Sequence, residues 1–159
     1  MTVSVITISD RASRGKYPDR SGPEIVSILR EAFPEVRITT EVVPDEAMAI
    51  VAAFQRYRQA DFILTTGGTG VSERDVTPEA TRGYCQRELP GIAEVLRAES
   101  YKETPTAVLS RGAAGIKGKT IIVNFPGSLK AVRLCTRVLI PVMEHGISML
   151  AGGGHDPHQ

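Results

Sequence analysis

The sequence predicts an α/β protein of three layers, α/β/α, in which helices cover both faces of a mainly parallel, mixed sheet. Three observations support this fold class. Strand-like and helix-like segments alternate along the chain. The 159 residues suffice for one hydrophobic core, and 42% hydrophobic with 23% charged residues is a globular composition. We therefore expect one domain over residues 1–151 and a flexible tail over residues 152–159.

The first half of the chain contains strands that are each followed by a helix. Runs of β-branched and other apolar residues predict strands at 3–8, 37–43 and 61–65. Apolar residues at helical spacing predict helices at 23–33 and 45–59. This order is typical of parallel strands joined by helical crossovers.

The second half continues the alternation with shorter strands. The predicted elements are a helix that Thr77-Pro78 caps and begins, a helix at 90–101, short strands at 106–109 and 120–123, and a helix at 128–150. The connection between the last two strands is short for a helical crossover, so an antiparallel hairpin there would make the sheet mixed. Pro141 is expected to kink or split the last helix.

Charge and composition exclude several classes of function. Nineteen Lys and Arg against eighteen Asp and Glu leave no basic excess for nucleic acid or an anionic membrane. The sequence shows neither a transmembrane segment nor a secretory signal. Cys85 and Cys135 imply no disulfide framework and suit a reducing compartment. We therefore expect a cytoplasmic protein with neither nucleic acid nor membrane as a partner.

The candidate site lies at the carboxyl edge of the sheet, where ligands bind in open α/β folds. Glycines after the third strand let backbone N–H groups approach an anion, and Gly127-Ser128 precede a helix start, a second anion site. The alternative for both glycine segments is that the glycines only allow the chain to turn. The residues at this edge are Ser9, Asp10, Thr66, Gly67, Gly68, Thr69, Gly70, Asn124, Pro126, Gly127 and Ser128.

Two carboxylates at the same edge are candidate Mg²⁺ ligands. Asp75 stands beside the glycine-rich segment and is not needed as a helix cap, because Thr77-Pro78 supply one. A carboxylate there would repel an anion unless a divalent cation intervened. Asp45 is a second candidate, although it would also make a good helix cap, and Asp10 could be a turn residue at the strand end.

Two familiar nucleotide-binding motifs are incomplete. The segment 113–120 nearly matches a P-loop, but Ala113 replaces the first glycine and the segment runs into a strand. Glu73 stands where a dinucleotide fingerprint needs its third glycine. Neither a P-loop nucleoside triphosphatase nor a classical dinucleotide-binding domain is predicted.

The chain resembles the MogA/MoaB family of molybdenum-cofactor biosynthesis proteins over almost its whole length. The most specific match is Thr65-Thr-Gly-Gly-Thr-Gly70 followed by Arg74-Asp75-Val-Thr-Pro-Glu79. Further blocks match in order: Ile8-Ser-Asp-Arg11, the loop from Gly15 to Pro23, Val43-Pro-Asp-Glu46, Leu89-Pro-Gly91 with Glu94 and Arg97, Leu109-Ser-Arg111, and Asn124-Phe-Pro-Gly-Ser128.

The resemblance implies a molybdopterin adenylyltransferase that uses Mg-ATP, transfers AMP to the terminal phosphate of molybdopterin and releases pyrophosphate. By matching position, Asp45 and Asp75 correspond to the functional aspartates of the family, and Ser110 to a residue of its pterin-side block. The family also implies homotrimers, with hexamers in the MoaB branch, and other cofactor-biosynthesis proteins as partners.

Alternatives remain at this stage. One is a pterin-binding protein of the MoaB branch without transfer activity; another is a scaffold domain like that of gephyrin. If strands 106–109 and 120–123 form a hairpin, Ser110 and Arg111 would lie at the opposite edge of the sheet from Asn124. That arrangement would remove Ser110 from the site.

Overall fold

The computed structural model describes residues 1–153. Its six strands are β1 Thr2–Ile8, β2 Arg37–Val43, β3 Phe62–Thr66, β4 Arg87–Glu88, β5 Ala114–Lys117 and β6 Thr120–Phe125. Its helices are α1 Asp10–Ser13, α2 Ser21–Ala32, α3 Ala47–Arg56, α4 Thr77–Tyr84, α5 Pro90–Glu103 and α6 Leu129–Leu150, with a 3₁₀ turn at Pro105–Leu109.

The strands form one mixed sheet in the order β2-β1-β3-β6-β5-β4. The first four strands in this order are mutually parallel, and β5 is antiparallel to both β6 and β4. The carboxyl ends of β1, β2, β3 and β6 therefore lie at one edge of the sheet. The predicted α/β class and the mixed sheet are confirmed.

Apolar side chains cover both faces of the sheet, as parallel strands with helical crossovers require. In β1, Val3 and Val5 pack in the cluster that includes residues of α2, α5 and α6, whereas Ile6 and Ile8 pack in the cluster that includes residues of α3 and α4. All four are almost fully buried, and each such side chain stabilises the fold by roughly 1.5–3 kcal/mol. The strand ends at the carboxyl edge are thus held from two sides.

The strand predicted at 106–109 is wrong. These residues belong to the 3₁₀ turn, and Val108 and Leu109 are 58% and 53% exposed, so no strand face is buried there. The antiparallel partner of β6 is instead β5. This strand contains Gly115, and glycine is a residue type that rarely indicates a strand. Glycine is required because a Cβ at position 115 would lie 2.8 Å from the carbonyl oxygen of Arg87 in β4.

Three helix predictions also need correction. The helix predicted from Asp45 begins at Ala47, and Glu46 is its cap residue. Thr77 is not the cap of α4 but its first residue. The last helix is not split, because α6 runs through Pro141, with Leu139 and Met143 buried on either side of it.

Besides β5, two short elements, α1 and β4, were not predicted. Of the predicted tail, residues 154–159 lie outside the described part of the chain. Gly152 and Gly153 donate hydrogen bonds to the carbonyl oxygens of Met149 and Ser148 in the last turn of α6. Between residues 1 and 153, no helix has the length and apolar character needed to cross a membrane.

Candidate active site

The carboxyl edge of the sheet borders a cleft of about 570 Å³, here called the larger cleft. Its walls come from the loop after β3, the start of α6, and the 3₁₀ turn with the residue after it. Small and apolar side chains such as Ala107, Leu109 and Leu134 also line it. The predicted site residues that line this cleft are Gly67, Gly68, Thr69, Gly70, Asp75, Ser110, Pro126, Gly127 and Ser128.

The glycine loop, residues 67–70, begins with two residues whose backbone conformation only glycine adopts without strain. Gly67 and Gly68 have φ angles of +104° and +63°. A Cβ at Gly67 would lie 2.2 Å from the carbonyl oxygen of Ile8, and one at Gly68 would lie 2.3 Å from Oγ1 of Thr77. The buried Thr77 hydroxyl donates to the carbonyl oxygen of Gly67, at 3.0 Å, which explains why it does not act as a cap.

This backbone leaves N–H groups available to a ligand. Within the described chain, the N–H groups of Gly68, Thr69 and Gly70 have no hydrogen-bond acceptor. The second glycine turn packs directly on the first, since a Cβ at Gly127 would lie 3.4 Å from the Cα of Gly67. Ser128 then caps α6, so the positive end of a 22-residue helix also borders the cleft. The arrangement is suited to a polyanion.

Asp45 and Asp10 hold each other through reciprocal hydrogen bonds. The Asp10 N–H donates to Oδ2 of Asp45 at 2.8 Å, and the Asp45 N–H donates to Oδ1 of Asp10 at 3.1 Å. The capping alternative for Asp45 is therefore wrong, because its carboxylate serves α1 and not α3. Asp10 is the first residue of α1 and not merely a turn residue.

The two carboxylates have opposite electrostatic environments. Burial raises the pKa of Asp45, and the charges of Asp10 and Asp75 raise it further against the opposing effect of the Asp10 N–H. Arg74 forms an ion pair with Asp10 and holds the pKa of that carboxyl below its ordinary value. Asp45 is thus the carboxylate that gains most from a cation.

Asp75 lies beside Gly70 of the glycine loop, whereas Asp45 lies beside Gly68. Its Oδ2 accepts a hydrogen bond of 3.0 Å from the N–H of Ser72, and it would lie 2.9 Å from a Cβ at Gly70. Oδ1 of Asp45 would lie 3.1 Å from a Cβ at Gly68. The predicted pair of carboxylates therefore lies beside the same glycine loop.

Ser110 and Arg111 lie at the same edge as the glycine loop. The Arg111 N–H donates to the carbonyl oxygen of Thr69 at 2.8 Å, and Ser110 lines the larger cleft. The hairpin that would have placed Ser110 at the opposite edge of the sheet does not form. Instead, β5 begins at Ala114, whose partner Val123 lies near the carboxyl end of β6. The antiparallel strand β5 begins at this edge, so the residues before it lie at the carboxyl edge too, and a role for Ser110 in the site stays a prediction.

Three other predicted residues have their side chains bonded within the protein. Asn124 is buried, donates to the hydroxyls of Thr65 and Thr81, and accepts from the Ala113 N–H. The Thr66 hydroxyl donates to the carbonyl oxygen of Pro126, and the Ser9 hydroxyl caps α1. These side chains shape the carboxyl edge, and their direct contact with a ligand stays a prediction.

Lys130 and Glu103 are cleft residues that the sequence analysis missed. Lys130 Nζ lies 3.3 Å from Oε2 of Glu103, and both side chains line the larger cleft. Lys130 is the one cationic side chain that lines it within the described residues. Its position two residues after Ser128, in the first turn of α6, was a signal that could have identified it.

A second cleft of about 360 Å³, the smaller cleft, borders the same glycine turns. Gly67, Gly127 and Ser128 line both clefts. Ser9 and Thr66 line the smaller cleft together with Arg11, whose guanidinium lies 5.0 Å from the centre of the Tyr17 ring. Two ligands can therefore meet at the glycine turns.

Comparison with known proteins identifies close relatives over almost the whole chain. Molybdopterin adenylyltransferase of Helicobacter pylori strain J99 is 40% identical over 155 residues, covering 94% of this chain and 88% of the relative. The crystal structure of the molybdopterin biosynthesis enzyme MoaB from Thermus thermophilus is 41% identical, with a TM-score of 0.86 and coverage of 95% and 96%. A structure of MogA is 34% identical, with a TM-score of 0.89 and coverage of 94% and 99%.

The match to a family model agrees with these relatives. Residues 4–145 match the family described as a probable molybdopterin binding domain. This range contains both glycine turns, both predicted metal-binding aspartates and Ser110. The chain belongs to this family of molybdopterin-binding domains, as the sequence resemblance predicted.

Proposed function

We propose that this protein is a molybdopterin adenylyltransferase, which transfers AMP from ATP to the terminal phosphate of molybdopterin and releases pyrophosphate. The observation that carries the proposal is the set of N–H groups at Gly68, Thr69 and Gly70 that lack an acceptor within the described chain, with the carboxylates of Asp45 and Asp75 beside the same loop. The activity named for the Helicobacter pylori relative supports it. The alternative of a scaffold domain explains neither feature.

The arrangement suits a reaction between two anions. A phosphate oxygen of the pterin attacks the α-phosphorus of ATP, a new P–O bond forms, and the bond to the β-phosphate oxygen breaks as pyrophosphate leaves. The attacking phosphate monoester is ionised at pH 7, so no general base is needed. The protein contributes by holding the two groups in line and balancing their charge.

The carboxylates fit Mg²⁺ that binds together with the substrate phosphates. Within residues 1–153, no three acidic, histidine or cysteine side chains lie close enough to hold a metal ion alone. Mg²⁺ commonly takes one or two carboxylates and completes its shell with phosphate oxygens and water. Asp45 and Asp75 would hold it, and when bound it would neutralise charge on the triphosphate.

The two clefts divide the substrates between them. The larger cleft, with its apolar lining and Ser110, suits the pterin, and the smaller cleft suits the nucleoside. The shared residues Gly67, Gly127 and Ser128 then lie where the phosphates meet. Lys130 would contact the pterin phosphate in exchange for Glu103.

We also propose a homotrimer in the cytoplasm that exchanges its substrate and product with other cofactor-biosynthesis proteins, with a hexamer as the other assembly of the family. An apolar groove of about 460 Å³ between α5 and α6 supports subunit contacts, because Val95, Val142 and Met149 are exposed there. Light scattering should give three times the 17.2 kDa of the chain. A monomer at micromolar concentration contradicts this assembly.

Pyrophosphate release from Mg-ATP, measured with and without molybdopterin, tests the transfer activity. We expect release only when both substrates and Mg²⁺ are present, and we expect chelation of Mg²⁺ to stop it. Molybdopterin binding without pyrophosphate release would instead identify a pterin-binding protein of the MoaB type. The absence of both would reject the proposed function.

A further inference from the structure

Arg111 contacts both ends of the 70–75 loop, the segment that carries Asp75. Its Nε donates to the carbonyl oxygen of Gly70 at 2.7 Å, and its Nη2 donates to the carbonyl oxygen of Asp75 at 2.6 Å. Its backbone N–H also bonds the carbonyl oxygen of Thr69. One residue thus ties the end of the glycine loop and the metal-binding aspartate to the start of the β5 segment.

The contacts require arginine and not merely a positive charge. A guanidinium presents several N–H donors in one plane, whereas a lysine ammonium is a single point that cannot reach separated acceptors with fixed geometry. Glu79 fixes the orientation of the guanidinium plane. It forms an ion pair with Arg111, and its carboxylate accepts hydrogen bonds from Nη1 and Nη2 of that residue. This pairing also holds the pKa of Glu79 below its ordinary value.

The loop itself has little else to hold its ends. It belongs to neither a helix nor a strand, and its internal bonds join Ser72 to Asp75 and to Arg74. Arg74 reaches Asp10 through an exposed side chain. Since Arg111 binds main-chain oxygens at both ends, it sets the position from which the Asp75 carboxylate faces the cleft.

We propose that Arg111 is the positioning residue for Asp75, held in its orientation by Glu79, and that it acts on the reaction only through the metal-binding geometry of Asp75. The proposal rests on the proposed function. Residues that orient metal ligands typically change metal affinity or activity about 10–100-fold when substituted. We therefore expect an effect of about this size from Arg111→Lys, which keeps the positive charge and removes the planar set of guanidinium N–H donors.

The test compares wild type, Arg111→Lys, Asp75→Asn and the double variant. Arg56→Lys is the matched control, because Arg56 also forms a forked pair with a carboxylate, Glu41, at a site remote from both clefts. We measure pyrophosphate release, molybdopterin affinity, and binding of Mn²⁺ to the protein with ATP by electron paramagnetic resonance. Thermal melting checks that each variant folds.

We expect Arg111→Lys to lower kcat and weaken Mn²⁺ binding about 10–100-fold, with molybdopterin affinity unchanged. The double variant should be no worse than Asp75→Asn alone, because Arg111 has nothing left to position. Independent, multiplying losses in the double variant would overturn the proposal, as would an equal loss of molybdopterin affinity in Arg111→Lys. Arg56→Lys should match wild type in every measurement.

A failure of the proposed function is distinguishable from a failure of this inference. If wild type binds molybdopterin but releases no pyrophosphate, adenylyl transfer is rejected. Amide hydrogen exchange at Ser72 and Asp75 then decides the positioning role. Faster exchange confined to this loop in Arg111→Lys supports it, and unchanged exchange overturns it.

Discussion

The glycine turns and the carboxylates of the candidate site are built in different ways. The glycine turns are held by buried backbone: Gly67 lies against Ile8 and Gly127, and the Thr77 hydroxyl fixes its carbonyl oxygen. The carboxylates are held by loop contacts: the Asp10 N–H binds the carboxylate of Asp45, and Arg111 binds the main chain of Asp75. Substitutions in the glycine turns should therefore damage the fold and the site together, whereas substitutions of the carboxylates should lower the rate in a folded protein.

Gly67→Ala should have the largest effect. The new Cβ would meet the carbonyl oxygen of Ile8 at 2.2 Å and would stand on a backbone with φ of +104°. We expect the free energy of unfolding to fall by roughly 4 kcal/mol or more, with loss of both ligands. Gly15→Ala is the control, because Gly15 has φ of +69° with no atom within 4 Å of its Cβ position. It should cost about 1–2 kcal/mol by chemical denaturation.

Asp75→Asn should give the largest loss of rate in a folded protein. Asparagine keeps the side-chain size and removes the charge that, in the proposed function, would hold Mg²⁺ beside the triphosphate. We expect turnover to fall on the order of 10²–10³, or ~3–4 kcal/mol, with molybdopterin affinity and melting temperature nearly unchanged. Glu73→Gln, in the same loop, should leave turnover at the wild-type level. Near-normal turnover in Asp75→Asn would remove Asp75 from the metal site.

Asp45→Asn should lower turnover without lowering the melting temperature, and its effect on the melting temperature should depend on pH. Turnover should fall about 10²-fold, because a proposed metal ligand is lost. The pKa of Asp45 is raised by burial, so its charge costs stability above that pKa, and the cost vanishes as pH falls below the ordinary value of 3.8. The variant should therefore melt at or above the wild-type temperature at pH 7, with the difference shrinking in acid. A variant that melts well below wild type at pH 7 would contradict this reasoning.

Lys130→Gln should have the smallest effect. The Lys130 side chain is 62% exposed and pairs with Glu103, so its attraction for a phosphate is screened by water and salt. We expect molybdopterin affinity to fall about fivefold at low salt and less at high salt. Lys102→Gln is the control, since Lys102 pairs with Glu99. Equal losses in both variants would indicate only a general charge effect.

The placement of the glycine loop and the two aspartates at the carboxyl edge was predictable from sequence, because each belongs to a segment that follows a predicted parallel strand. A buried strand followed directly by several glycines is typical of an anion-binding loop, and Asp75 lies within six residues of it. The role of Asp45 was harder to predict, since its carboxylate bonds an N–H that is 35 residues away in the chain. Local cap propensity competes with such distant contacts and cannot reveal them.

The region from Pro105 to Lys117 was the least predictable part of the fold. Pro105-Thr-Ala-Val-Leu109 has the composition of a short strand, but all of these residues except Ala107 are exposed, so no strand face is buried. The real strand contains a glycine that the close approach of β4 requires. Arg111 was present in the matched motif, yet its three main-chain contacts depend on the direction of β5, which the sequence left open.

The reversed direction of β5 has a consequence for how the site can be redesigned. In an all-parallel sheet, every segment at the carboxyl edge leaves a strand and leads into a helix, so altering it disturbs a crossover. Here the 3₁₀ turn leads into β5 at that edge and lines the larger cleft together with the glycine turns. Lengthening or shortening the exposed turn would resize the pocket for a bulkier or smaller ring system while the backbone of the glycine turns keeps its shape.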